Sequence, residues 1–435
     1  MTGAKLPELP KGSEFEELVA GILQTGGNFT ERKIIERDKV DILELDIIST
    51  DYNDKLPNLK LVEAKSGSWG SSDVFKICGW MTYLNIPNGL LVTLSNRDHI
   101  DRIQKRAEAL GIDLQPLENL KKAPMQLAAH TDGNPLDSRD VSTWRFSYWV
   151  ERNLLKKLKA SQKSPGNAHR YDAMWNYFYE LTSGIFFTRN IVSRLESLYD
   201  LYAKYPRLSA RCSAEMSGKD FDGDASQIEN DHFNRTFYDC EYNDLQISCF
   251  VEHMARLSIL KAAVDYVLYS RMGDEERTKK EWEIFGSTYD WFEALPGSFR
   301  SGLDEIKDDP FVHRYPILWQ WFMWVFGGFF LCDYEEQEIA LLAEKSRIPP
   351  NQVQRALECY DLLFPTDGGW FRGPTSTSNM RFLNLFPVPF RGVGANYRRL
   401  TYCKKGTFDE LQLSKRYTLK DVIKANNLTV KVLSS

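Results

Sequence analysis

Glu16, Asp46, Glu63 and Lys65 are the residues whose types and spacing most clearly suggest chemistry. In the segment LKLVEAKS (59–66), strand alternation turns Glu63 and Lys65 to one face and Ala64 to the other. The flanking residues are apolar, so the segment is fit for burial, and a lone buried charge there would cost several kcal/mol. Each charge therefore needs a partner, a metal or water. Asp46 stands in LELDIIS (43–49), again a carboxylate among aliphatic residues. If these segments pair as a hairpin, Asp46 and Glu63 converge near one end of a sheet. Hard carboxylate oxygens are the natural ligands of Mg²⁺, which polarises a phosphoryl oxygen and favours attack by water. A lysine beside them orients that water or offsets charge on the phosphate. The plainer alternative is an edge-strand ladder of ion pairs on a solvated face.

The elements that must position these residues follow from periodicity and turn chemistry. Residues 13–24 predict an amphipathic helix with Ser13 as cap, Glu16 as capping-box partner and a stop at Gly26 and Gly27. Strands are expected at 28–37, 40–49 and 59–65, with a turn-rich connection at 50–58. A helix at 72–85, a buried strand at 89–95, a helix at 97–110 and a short strand at 112–117 complete a mixed α/β core.

Placed on those elements, FEELV in the first helix, LELDII on a strand and VEAK on the next resemble the PD-(D/E)XK nuclease superfamily. Within it the spacing looks most like Mrr-type restriction endonucleases and archaeal Holliday-junction resolvases. The resemblance implies an α/β restriction-endonuclease-like domain over residues 1–118, with Glu16, Asp46, Glu63 and Lys65 as its catalytic residues. It further implies Mg²⁺, with Mn²⁺ as a substitute, held by Asp46, Glu63 and the backbone carbonyl of Ala64. DNA is the implied substrate. The proline that often precedes the aspartate is replaced by Leu45, and the Gln or Tyr found on the next helix in some subfamilies is not evident.

Beyond residue 118 the composition changes. Residues 119–140 gather Pro, Gly, Asp and Asn and read as a linker. A mainly α-helical region is expected over 141–310, and a winged-helix-like module over 311–435. In the latter, EIALLAEKSRIPPNQVQRALECYDLLF (338–364) reads as two helices broken at 347–349. Asn351, Gln352, Gln354 and Arg355 on the second helix are types that read base edges, although nearby glutamates make the setting acidic. Lys60, Lys76, Arg97 and Lys105 either add positive charge near the site or are scattered solvated cations. The serine- and glycine-rich loop after Lys65 either touches substrate or merely turns the chain. The aromatic residues of 144–187 are read as core, Asp220, Asp222 and Asp224 as a solvated acidic loop rather than a calcium loop, and Cys240, Cys249, His232 and His253 as ordinary residues rather than a zinc set.

The 435 residues carry a formal net charge of −5, so attraction to a polyanion must come from a local patch or a bound metal. Seven dispersed cysteines without a CxxC pair, and no secretory leader, lead to the expectation of a cytoplasmic protein. The apolar run 317–332 is shorter than the about 20 residues that cross a bilayer, so a buried helix and no membrane are expected. The expected function is a metal-dependent endodeoxyribonuclease whose C-terminal module recognises DNA or a protein partner, in restriction or antiviral defence. Double-strand cutting would call for a homodimer. The alternative is an inactive nuclease fold that serves as a binding or scaffold protein.

Overall fold

The computed structural model describes residues 7–38, 40–53, 56–94, 100–161, 168–183, 191–204, 243–271, 297–326, 335–363, 371–372 and 382–383. Two compact units divide the chain, one of Lys5–Arg145 with Thr182–Arg189 and the other of the remainder.

The first unit follows the expected order: α1 (Ser13–Thr25), β1 (Phe29–Asp38), β2 (Val40–Asp51), β3 (Asn58–Lys65), α2 (Ser71–Leu84), β4 (Asn88–Thr93), α3 (Ile100–Glu108) and β5 (Ile112–Pro116). The five strands form one mixed sheet in the order β1-β2-β3-β4-β5. The first three pair antiparallel, whereas β3, β4 and β5 run parallel through the crossover helices α2 and α3. Leu61, Leu91, Ile112 and Leu114 of the sheet share one core with Val74, Ile77 and Met81 of α2 and Ala107 of α3. α1 belongs to the other side, where Glu17 pairs with Arg32 of β1 at 3.9 Å.

One irregularity in the sheet matters for the site. Arg32, opposite Ile47, meets α1, while Ile34, opposite Leu45, enters the core beneath α2 and α3. Residues two apart on a regular strand share a face. Between these two, Lys33 is in the left-handed region at φ 56°, so the β1–β2 hairpin changes face at that point. Beyond it the hairpin lies over the α2 side, and the Tyr83 hydroxyl of α2 donates to Glu36 Oε1 at 2.6 Å.

Residues 119–140, read in sequence as a linker, carry α4 (Ala123–Leu127) and a 3₁₀ turn at Ala128–His130. Buried Asn28, just before β1, accepts the Asp132 N–H at 2.8 Å and donates to the His130 carbonyl at 3.4 Å. Asn134 N–H donates to the Gly26 carbonyl at 3.1 Å. Gly26 leaves no room for a side chain, because a Cβ there would lie 2.3 Å from Cβ of Thr131.

The second unit is mostly helical, with described helices at Ala168–Thr182, Ile191–Lys204, Asn243–Ser270, Gly297–Ile306, Tyr315–Trp324, Glu335–Ser346 and Pro350–Leu363. The first part of the apolar run lies in the buried helix Tyr315–Trp324, with every side chain from Tyr315 to Met323 enclosed, and residues 327–332 lie outside the described residues. Trp319 Nε1 donates to the Ala356 carbonyl at 2.9 Å. Among the described residues no helix is long and apolar enough to cross a membrane. Of the aromatic segment read as core, Trp144, Tyr148, Tyr177 and Phe178 are buried and Trp149, Trp175 and Tyr179 half-buried, while Phe186 and Phe187 lie outside the described residues. The acidic loop at 220–224, Cys240 and His232 lie outside the described residues.

The docking of residues 128–134 generates a test. Gly26→Ala is expected to destabilise the first unit by about 1–3 kcal/mol through the Thr131 clash. Adding Thr131→Gly should recover most of that loss in urea unfolding. A neutral Gly26→Ala would contradict the close approach.

Candidate active site

Asp46 and Glu63 fall at the point where two strands part. The β2–β3 ladder ends at the Ile47–Val62 pair, so Asp46 and Glu63 would be its next pair. Past this point β2 continues beside β1, and β3 continues beside β4. The Ala64 N–H therefore has no β2 carbonyl to meet, and it donates to Asp46 Oδ2 at 3.0 Å. The aspartate side chain replaces the missing rung and is held against β3 by it.

Alternation places Glu63 and Lys65 on the face of β3 that carries Leu61, towards α2. The Glu63 side chain is 1% exposed and its Oε1 is paired with Nζ of Lys65. Lys76, on α2, approaches the same oxygen at 3.3 Å. The other oxygen, Oε2, is buried and has no hydrogen-bond partner among the described residues.

Glu16 reaches the same corner from α1. The helix begins differently from expectation. Gly12, at φ 53°, takes the cap position, Ser13 is the first helical residue, and no side chain caps the helix. The Gly12 N–H is instead bound by Ser66 Oγ at 2.8 Å, which ties the start of α1 to the loop after Lys65. Glu16 is thereby released from capping, and its charge is felt by Asp46.

The electrostatics are those of crowded carboxylates. Burial, then Glu63 and Glu16, push the Asp46 carboxyl up to about 7. Burial likewise raises Glu16; Arg32 and Lys33 oppose the rise, while Glu44 and Glu17 add to it. For Lys65, burial works against the charge, but the hydrogen bond and attraction of Glu63, with Asp46 and Asp73 behind them, hold the ammonium above its ordinary value. Lys65 is thus a cation at neutral pH, suited to orienting and neutralising rather than to accepting a proton.

Among the described residues no group of three or more His, Cys, Asp or Glu side chains is arranged to hold a metal ion. Mg²⁺ asks for less, since it keeps several waters and is commonly held by one or two carboxylates beside substrate phosphates. The buried Glu63 Oε2 without a partner, and the negative field that Glu63 and Glu16 place on Asp46, suit such a cation.

The structure brings together Glu16, Asp46, Glu63 and Lys65, with Ala64 contributing backbone. Of the described basic residues expected near the site, only Lys76 joins them. Lys60 sits at the far end of β3, near His130, and Lys105 is exposed on α3. Arg97 lies outside the described residues. Sequence reasoning missed the Ser66 tether and the partnership of Lys76 with Glu63. Only the position of Lys76 early in the helix after β3 hinted at the latter.

The chain was compared with protein-family models, with curated proteins and with solved structures, and it matches none of them.

The crowding has a measurable consequence. Asp46 titrates well above its ordinary value in the folded chain, so its contribution to stability is full at low pH and is lost as pH rises through about 7. Asp46→Asn keeps an acceptor for Ala64 but carries no charge. At pH 8 with chelator present, the variant is expected to be more stable than wild type by about 1–3 kcal/mol. The gain should disappear near pH 4. A variant less stable than wild type at pH 8 would show that the buried charge of Asp46 beside Glu63 and Glu16 costs this corner no stability.

Proposed function

We propose that the first unit is a metal-dependent endonuclease of the PD-(D/E)XK type that hydrolyses phosphodiester bonds in DNA. The observation that carries this reading is the convergence of Asp46, Glu63 and Lys65 where β2 and β3 part, with an oxygen of Glu63 left buried and unbonded. DNA rather than RNA follows from the resemblance to DNA-cutting enzymes.

In this reading Asp46, Glu63 and the Ala64 carbonyl would hold Mg²⁺ or Mn²⁺, which when bound would supply Lewis-acid polarisation of a phosphoryl oxygen and charge neutralisation. The remaining work falls to the chain itself. Asp46 is fixed in place by the Ala64 N–H, so little reorganisation is needed when the site charges. The Lys65 ammonium orients the attacking water and offsets the charge of the phosphate. Glu16, partly buried and raised, is placed to accept a hydrogen bond from water at the mouth of the site. Asp46 must lose its proton to act as a ligand, so cation binding would strengthen as pH rises.

The second unit is assigned recognition of the target or of a partner, in restriction or antiviral defence. The helices Glu335–Ser346 and Pro350–Leu363, followed by the short antiparallel pair Phe371–Arg372 and Phe382–Leu383, support a winged-helix-like reading of its end. Base reading by its second helix has weaker support. Arg355 donates to the Glu305 carbonyl at 3.2 Å and lies 3.8 Å from Asp309, while Gln354 donates to Glu358 at 2.7 Å. Partner binding is therefore preferred for this helix. The rival reading, an inactive fold that binds without cutting, draws on the absence of a three-carboxylate cage among the described residues.

Cleavage of supercoiled plasmid separates the two. Wild type is expected to nick or linearise it only with Mg²⁺ or Mn²⁺. Lys65→Ala should lower the rate by about a hundredfold or more, and Glu63→Gln should abolish it. Cleavage that survives chelation, or that both variants retain, would refute the assignment.

A further inference from the structure

Glu63 is shared by two ammonium groups that differ in their freedom to leave. Lys65, 27% exposed, comes from the same strand and is the more covered of the two. Lys76, 43% exposed, comes from α2 and has a second resting place, since its Nζ lies 4.0 Å from the centre of the Trp80 ring. Trp80 follows Lys76 by four residues on the helix and is anchored by packing against the core. Both lysines meet Oε1, whereas Oε2 faces none of the described donors. A divalent cation arriving at this carboxylate meets positive charge that must be moved aside, and Lys76 is the more exposed of the two lysines and the one with the Trp80 ring as a second partner. The natural partner for the displaced ammonium is an anion entering from that side, and a phosphate supplies one.

Resting on the cation site proposed above, we propose that Lys76 gates it: Lys76 holds Glu63 in the free protein and passes to a nucleic-acid phosphate when a divalent cation takes the carboxylate. Cation and polyanion then bind cooperatively, each removing the obstacle to the other, and the coupling is reciprocal. The device keeps the free protein from holding its cation tightly and from acting before a backbone is in place.

The test uses two ligands separately, Mn²⁺ alone, followed by electron paramagnetic resonance of the free ion, and a short fluorescein-labelled DNA duplex in chelator, followed by anisotropy. Lys76→Met is expected to bind Mn²⁺ about fivefold more tightly than wild type, the scale of one partly exposed ion pair. The same variant should bind the duplex a few-fold more weakly. Lys76→Arg should behave as wild type in both. A merely structural role for Lys76 would move both affinities in the same direction. Mn²⁺ binding that is unchanged or weakened in Lys76→Met overturns the gate, and an unchanged duplex affinity overturns the transfer to phosphate. Glu63→Gln tells the two proposals apart. If it loses Mn²⁺ binding while Lys76→Met does not gain it, the gate alone falls. If Mn²⁺ binds equally well to Glu63→Gln, or to none of these proteins, the cation site falls with it.

Discussion

Carboxylates held near one another in a largely buried corner set the character of the candidate site in the first unit. Carboxylates repel, and they are held together here by backbone. Because β2 and β3 separate after Ile47 and Val62, the Ala64 N–H is left for Asp46, and a gap in the ladder becomes a tether for a charge. Glu63 and Lys65 are ranked on one face by alternation, α2 adds Lys76 from above, and α1 brings Glu16 from the opposite layer. The tie from Ser66 to Gly12 makes the position of α1 depend on the loop that ends β3. Stability is thereby given up for a poised set of oxygens, a cost that a bound cation would offset.

The fold of this unit was largely legible because its strands and helices keep their own periods. Boundaries read from turn residues agree with the structure to within a few positions, and alternation in LKLVEAKS placed Glu63 and Lys65 correctly on one face. Other features depended on contacts across long stretches of chain. Nothing local to Ser13 reveals that Gly12 will be claimed by Ser66, so the capping-box pattern misassigned Glu16. Nothing local to Lys33 announces a left-handed residue, since lysine has no preference for it, and the change of face follows from that residue. The polar residues of 119–140 looked like a tether because composition cannot distinguish groups that face water from groups that hydrogen-bond to Asn28.

The second unit shows the same limit from the other side. Its apolar and aromatic content identified the core, including the Tyr315–Trp324 helix, because a dense apolar run has little to gain from water. Asn351, Gln352, Gln354 and Arg355 suggested base reading by type, yet Arg355 and Gln354 are engaged with neighbouring acceptors of their own unit. Residue type reports what a side chain can bind, and only the fold shows what has already claimed it.

The central claim is that Asp46 and Glu63 form a divalent-cation site. The direct measurement is the anomalous difference density of Mn²⁺ in crystals grown with that ion. The account predicts a peak within coordination distance of carboxylate oxygens of both Asp46 and Glu63 and of the Ala64 carbonyl, and no such peak in Glu63→Gln. Clear density for these side chains with Lys65 and Lys76 still on Glu63 and no peak between the carboxylates, at Mn²⁺ levels that support cleavage, would contradict it.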